Sequence, residues 1–262
     1  MLWLVVFGIL NVLLLFFVVF FLMPKGSIKK IPLDVNVIIN LFMSQIKSVL
    51  IILGVVVIHL MEVKFIDPVA TDLVGYNYAY ALVNIENGFV YWFSQHWNPV
   101  LLYYFVLIYI VVYPFTLWFS PLYFILGRKK RALKFLAYGL LLIYMVSLPF
   151  YLFLPITNVY SFYGVESALE TVIPSIESFF YLTTTQNNCL PSLHTAMAIL
   201  IAYCFSLTGN KKLGYFGYFV MVSVLISVIY LSIHWVIDMI TGVLLSLGVI
   251  FILRRYIKDD VR

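Results

Sequence analysis

Read for apolar and polar positions alone, the chain falls into seven apolar blocks, near residues 2–23, 47–63, 100–126, 132–154, 193–208, 214–232 and 234–253. Most of these have the length that carries a helix across a bilayer, roughly 20 residues for about 30 Å of hydrocarbon. In lipid every backbone N–H and C=O must be paired, and a helix does this within its own segment. Barrel strands would be shorter and would alternate apolar with polar positions, and the blocks show no such alternation. The expected fold is therefore all-α, a polytopic transmembrane bundle of about seven helices. Residues 35–46 read as an interfacial helix or an extension of the second span. Pro114 and Pro121 predict a kink in the third. The leading block has neither a basic n-region nor a small-residue cleavage site, so it reads as a retained helix rather than a signal peptide.

Charge orients this pattern. With seven spans, one side of the membrane collects Lys25, Lys29, Lys30, Lys47, Arg128, Lys129, Lys130, Arg131, Lys134, Lys211, Lys212, Arg254, Arg255, Lys258 and Arg262, which is 15 of the 16 basic residues, and leaves Lys64 on the other. Basic loops stay in the cytoplasm, so the N-terminus is expected outside and the C-terminus inside. The outer side then holds loops near 64–99 and 155–192 and a tight turn near 232–234. The first of these is rich in aromatic residues (Tyr76, Tyr78, Tyr80, Phe89, Tyr91, Trp92, Trp97), which suit the headgroup level of a bilayer. Composition agrees: the 262 residues are 64% hydrophobic and 10% charged, against roughly half and a quarter in soluble domains. No repeat or soluble linker divides the chain, so residues 1–262 are expected to form a single transmembrane domain in a cell membrane. A bridge between Cys189 and Cys204 is not expected, since one falls in a loop and the other within a span. The net charge of +5 reflects this sorting of basic loops, and no nucleic acid partner is expected.

Candidate chemistry gathers on the outer side. His194 closes the run Cys189-Leu190-Pro191-Ser192-Leu193-His194 at the start of the fifth span, after the polar stretch 183–188. His234 is expected to open the last span, with Asp238 four residues on and so on the same helical face. A carboxylate there holds one imidazole nitrogen and frees the other to react. Asp238 also lies within a membrane helix, where an ionisable group is either a buried anchor or part of a functional site. Helix N-termini with unpaired N–H groups suit phosphate oxygens. His96, His59, Glu166, Glu170 and Glu177 carry no assigned role.

At these residues the chain resembles the type 2 phosphatidic acid phosphatase superfamily of membrane lipid phosphatases and phosphotransferases. That family carries Pro-Ser-Gly-His in one loop and Ser-Arg, five residues, His, three residues, Asp in another. Here the first reads Pro191-Ser192-Leu193-His194, with Leu in place of Gly as in the inositol phosphorylceramide synthase branch. The second reads Ser227-Val228, then His234 and Asp238, followed by Thr241-Gly242. The resemblance covers about residues 132–253. Two departures stand out. The stretch matching the family's Lys, six residues, Arg-Pro motif runs from Ser147 to Leu154-Pro155, and Val228 replaces the arginine of the last motif. Three cations that hold phosphate in the family are thus absent, and the loosened pattern is similar to that of the phosphotransferases.

The resemblance implies that His234 attacks phosphorus to form a phosphohistidine, that Asp238 orients it, and that His194 exchanges a proton with the leaving and entering alcohols. Ser192, Leu193, Lys64 and Asn188 are the expected substrate-binding residues. The implied substrate is a phospholipid, a polyprenyl phosphate or a sphingolipid-like lipid at the outer membrane face, with an alcohol or water as acceptor and no metal or other cofactor. Two alternatives remain open on the sequence. One is a hydrolase in which His194, His234, Asp238 and His96 bind zinc. The other is a non-catalytic lipid-binding or scrambling member of the family. The lipid, the acceptor and the oligomeric state are not legible.

Overall fold

The structure is a computed structural model that describes residues 2–24 and 34–258. Of the basic residues used to orient the chain, Lys25, Lys29, Lys30 and Arg262 lie outside the described residues. The membrane-length helices are α1 (Leu2–Phe17, prolonged by a π-turn Val18–Leu22), α3 (Ile46–Val74), α6 (Pro99–Leu126), α7 (Lys130–Phe153), α12 (Lys211–Tyr230) and α13 (Val236–Tyr256). Shorter helices are α2 (Val35–Met43), α4 (Ala79–Glu86), α5 (Phe89–Gln95), α8 (Val159–Phe162), α9 (Ala168–Val172), α10 (Ile176–Phe180) and α11 (Leu193–Ser206). Among the described residues no strand forms, and a single isolated bridge pairs Ile156 with Asn188. Among the described residues six helices are long and apolar enough to cross a membrane, and α11 is apolar but shorter. This is the build of a multi-pass membrane protein.

Two boundaries differ from the sequence reading. The second span does not end near 63 but continues to Val74, through a π-turn at Glu62–Ile66. Lys64 is therefore helical rather than in a loop. The last helix begins at Val236, so His234 lies in the turn before it, with Trp235 as N-cap and Asp238 in the first turn. The disturbance expected at Pro114 takes the form of a π-turn, Ile108–Val112, just ahead of it. A proline offers no N–H to the ladder, and a π-turn re-registers the neighbouring bonds.

Helix α11 is the centre of the bundle, packed against α7, α12 and α13. Its small residues Ala196, Ala198 and Ala202 are buried, as are Leu200 and Phe205. Close packing of this kind drives helix association where lipid gives no hydrophobic contrast. Gly139 of α7 shows how tight it is: a Cβ there would fall 2.6 Å from a Leu200 methyl. On α1, by contrast, Val5, Ile9, Val12, Phe16 and Phe20 are exposed, as a lipid-facing helix requires.

The loop after α3 does not simply lie on the bilayer. It is pinned over the turn that carries His234. Trp97 Nε1 donates to the Tyr230 carbonyl at 3.0 Å, the Ser232 hydroxyl donates to the Val90 carbonyl at 3.2 Å, and Tyr91 stacks on Tyr163 at 4.1 Å.

Candidate active site

Two chain segments build the site: the loop entering α11 and the turn entering α13. Several contacts join them. The Ser192 N–H donates to the Asp238 carbonyl at 3.0 Å, and the Thr241 hydroxyl donates to that same oxygen at 3.0 Å. Gly242 permits the approach, because a Cβ there would meet the Ser192 carbonyl at 2.6 Å. The Ser192 hydroxyl caps α11 by accepting from the Thr195 N–H at 3.3 Å. Tyr151 of α7 anchors the same loop by donating to the Pro191 carbonyl at 2.7 Å.

On this frame the two histidines meet. His194 Nδ1 lies 3.2 Å from His234 Nε2, and the ring centroids are 5.4 Å apart. His234 Nδ1 is buried and lies 3.5 Å from Asp238 Oδ2. Asp238 Oδ2 also accepts from the Trp235 N–H at 2.9 Å, the reach-back of a capping box. At the far end, His194 Nε2 is 2.9 Å from the hydroxyl of Tyr109, which α6 supplies. Asp238 is fully buried, His234 is 3% exposed, and His194 is partly open.

The polarity of this chain follows from its ends. A carboxylate only accepts, so the tautomer of His234 that suits Asp238 carries its proton on Nδ1 and keeps the lone pair on Nε2. His194 Nδ1, facing that lone pair, is then the donor. His194 Nε2 is left to accept from the Tyr109 hydroxyl. Burial holds His234 down at about 4, against an ordinary value of 6.5, so it is neutral at physiological pH. The arrangement presents a neutral imidazole with its reactive lone pair aimed at a second imidazole.

The remaining expected residues fare differently. The Asn188 side chain donates to Glu62 Oε1 at 2.7 Å, so its N–H is turned to a fully buried carboxylate on α3. Tyr144 approaches the other Glu62 oxygen at 3.4 Å. Leu193 is the first residue of α11. Lys64 is exposed, its ammonium 5.5 Å from the Phe65 ring centre, and no hydrogen bond or ion pair joins it to the histidines. The N-terminus of α13 is not open for phosphate, because Glu86 Oε1 accepts from the Ile237 N–H at 3.0 Å. Burial, with Asp238 nearby, pushes the Glu86 carboxyl up, while its bonds to the helix N–H groups pull it down.

His96 stacks on Trp92 and bonds its carbonyl at 2.9 Å, away from the pair. Among the described residues the group placed to hold a metal ion is Cys189, His234 and Asp238, whose ligand atoms lie within 4.8 Å of one another. Burial pushes the Cys189 thiol well up, which keeps it neutral, and metal ligation calls for the thiolate.

Sequence reasoning passed over Tyr109, Glu62 and Glu86. Glu62 carried a usable signal, a carboxylate inside an apolar block. Tyr109 carried none, being one of several tyrosines in its helix.

Over residues 79–252 the sequence matches the PAP2 superfamily. The chain belongs to that superfamily. Its members are phosphatases or phosphotransferases, so membership supports an enzyme of that general kind. The match begins ahead of residue 132 and takes in α4, α5 and α6, hence Tyr109 as well. An uncharacterised protein of Methanocaldococcus jannaschii, MJ0662, is 36% identical over 66 residues, which is 25% of this chain and 27% of that protein. The chain thus covers about a quarter of that curated relative. No solved structure matches.

Proposed function

We propose that the chain is a seven-span membrane lipid phosphotransferase or phosphatase of the inositol phosphorylceramide synthase-like branch, working through a phosphohistidine on His234. The single domain would have its N-terminus outside, its C-terminus in the cytoplasm and its site on the non-cytoplasmic side of a cell membrane. The observation that carries this is the run of contacts from Tyr109 to His194 at 2.9 Å and from His194 to His234 at 3.2 Å, with the Asp238 carboxylate 3.5 Å from the far nitrogen of His234. Helix α11 would be the seventh span. Its 14 residues rise about 21 Å, short of a bilayer core of about 30 Å. The buried loop of Cys189, Pro191 and Ser192 fills the rest, as irregular backbone at membrane depth must when it is enclosed in protein. The histidines then sit near headgroup depth, where a lipid presents its phosphate with its tails still in the bilayer.

The chemistry follows from the lone pair on His234 Nε2. A phosphoryl group enters between the imidazoles. An attacking atom lies roughly 3–3.5 Å from phosphorus, so entry opens the 3.2 Å contact. The negative charge of the phosphate favours the imidazolium form of His194. Nε2 of His234 forms the bond to phosphorus, the bond to the leaving oxygen breaks, and His194 Nδ1–H protonates that oxygen. Asp238 compensates the positive charge that develops on His234. His194 then takes a proton at Nδ1 from the acceptor hydroxyl. The acceptor oxygen attacks phosphorus, and the bond to His234 breaks. Ser192 and the N–H groups around Leu193 would hold phosphate oxygens. With Asn188 bound to Glu62 and Lys64 turned outward, those two are second choices.

The test is purified protein given a panel of labelled phospholipids and polyprenyl phosphates, with and without alcohols. Turnover with acid-labile, base-stable label on His234 is expected. Turnover without that label would remove the covalent mechanism. No turnover on any member of the panel would favour a lipid-binding or scrambling protein.

A further inference from the structure

Helix α13 begins without a cap of its own. Its N-cap is Trp235, whose indole N–H donates to the Thr157 carbonyl at 2.9 Å and which has no side-chain oxygen to offer the helix. The usual N-cap residues carry a short side-chain oxygen that takes an N–H of the first turn. Here that oxygen comes from 151 positions away. Glu86, the last residue of α4, accepts the Ile237 N–H on Oε1 at 3.0 Å, and the Val236 N–H lies against the same carboxylate. Packing sets α4 in place for this: its Ala79 and Leu82 share one buried cluster with Cys189 and Trp235.

The effect of this borrowed cap falls on Asp238, which stands in the same first turn. Asp238 Oδ2 accepts from the Trp235 N–H at 2.9 Å and lies 3.5 Å from His234 Nδ1. Its other oxygen, Oδ1, is buried without a hydrogen-bond partner. The carboxylate is thus tied at one oxygen, with the second free to seek a donor. Unpaired N–H groups at a helix start attract carboxylates, through hydrogen bonding and through the positive end of the helix dipole. A vacant Ile237 N–H would compete with Trp235 and His234 for Asp238. Glu86 occupies it.

We infer that Glu86 is a positioning residue. By taking the first-turn N–H of α13 it keeps the Asp238 carboxylate beside His234 Nδ1, and so keeps the His234 lone pair on Nε2. The consequence for turnover rests on the reading of His234 as nucleophile, whereas the consequence for the His234 ring does not.

Two measurements on full-length protein in detergent test this: nitrogen NMR with labelled histidine, and turnover of bis(4-nitrophenyl) phosphate, a diester whose leaving group needs no proton. Wild-type His234 should carry its proton on Nδ1. Glu86→Gln keeps an oxygen at the same reach without the charge, and should keep that tautomer and most of kcat. Glu86→Asp keeps the charge but is one methylene short, so His234 should become a mixture of tautomers. Its kcat should fall about 10- to 100-fold with KM little changed, as small misplacements of a reacting group do. Glu86→Ala should match Glu86→Asp with a lower Tm, and Glu86→Asp keeps the test open should Glu86→Ala fold poorly. Trp97→Phe, which loosens the same loop away from α13, should lower Tm and leave His234 on the Nδ1 tautomer. An unchanged tautomer in Glu86→Asp would overturn the inference, and so would a Glu86→Gln protein that behaves like Glu86→Asp. A mixed tautomer in Trp97→Phe would also overturn it, by assigning the effect to general loosening. The expected tautomers with no turnover in any of these proteins would support the positioning role and count against the catalytic reading instead.

Discussion

Replacing Tyr109 by Phe removes one oxygen and leaves the ring against Phe180, 5.6 Å away, and His194, 4.9 Å away. The effect depends on the protonation state of His194. In the neutral state the phenol donates to Nε2. In the acid state Nε2 carries a proton, and the same oxygen turns to accept it. A hydroxyl serves both states and a phenyl ring serves neither. A hydrogen bond to a charged group is worth about 1.5–3 kcal/mol, which corresponds to roughly 10- to 150-fold in rate. The Tyr109→Phe enzyme should therefore lose kcat within that range while KM changes little. Where the leaving group is an alkyl alcohol the loss should be full, because that oxygen needs a proton. It should nearly vanish for a 4-nitrophenyl ester, whose leaving group departs without one. Nitrogen NMR of histidine-labelled protein gives a readout independent of turnover: His194 should carry its proton on Nδ1 in the wild type and become a mixture of tautomers in the variant. An equal loss for both leaving groups, or an unchanged His194 tautomer, would refute the assignment of Tyr109 as the residue that positions His194.

Four further outcomes are expected. His234 stays unprotonated in the fold down to about 4 although its ordinary value is 6.5; its contribution to stability is therefore complete above 6.5 and is lost as pH falls towards 4, by at most about 3 kcal/mol, in a thermal melt series. Gly242→Ala drives a methyl onto the Ser192 carbonyl, so Tm should drop by the equivalent of about 1–3 kcal/mol and turnover with it. Val228 is fully buried in apolar surroundings, so Val228→Arg should lower the yield of folded protein rather than supply the missing cation; a well-folded variant with improved phosphate binding would contradict this. A cysteine at Glu166 should react with an impermeant thiol reagent on intact cells and one at Lys130 should not, and the reverse pattern would invert the proposed topology.

The six membrane-length helices were legible because such helices advertise themselves through length and apolarity, and those signals need no tertiary information. The pairing of His194 with His234 was legible only through a motif, since 40 residues separate them and no local pattern joins two loops. What sequence missed has a common physical cause. Glu62 is a buried carboxylate at the start of a π-turn, and hydropathy ended that helix one residue later. Glu86 lies in an aromatic loop whose composition suggested the bilayer surface, yet Trp97 and Ser232 fasten that loop over the turn that carries His234. Tyr109 is recruited by packing alone. Its helix contributes no motif residue, so nothing along the chain distinguishes it from Tyr104, whose hydroxyl instead meets Ser223.

Charge is where this chain departs furthest from the pattern it resembles, and the structure gives the departure a consistent form. The positions that would carry cations hold Ser147, Leu154 and Val228. The first is buried with its hydroxyl on the Ile143 carbonyl, and the last lies in the apolar core. Carboxylates stand nearby instead: buried Glu62 holds Asn188, and half-buried Glu86 occupies the N-terminus of the helix that carries Asp238. A doubly charged monoester would enter this surrounding with one positive charge, on His194, to offset it, and each uncompensated charge in a partly dry site is costly. A diester brings a single charge, which one imidazolium balances while N–H dipoles at the start of α11 hold the free oxygens. On the proposed mechanism, transfer to His234 would put a positive charge on that ring against Asp238, so the intermediate would again be close to balanced. A site arranged in this way is suited to moving a phosphoryl group from one lipid ester linkage to another hydroxyl, and the absence of the family's cations becomes a determinant of which phosphate it accepts.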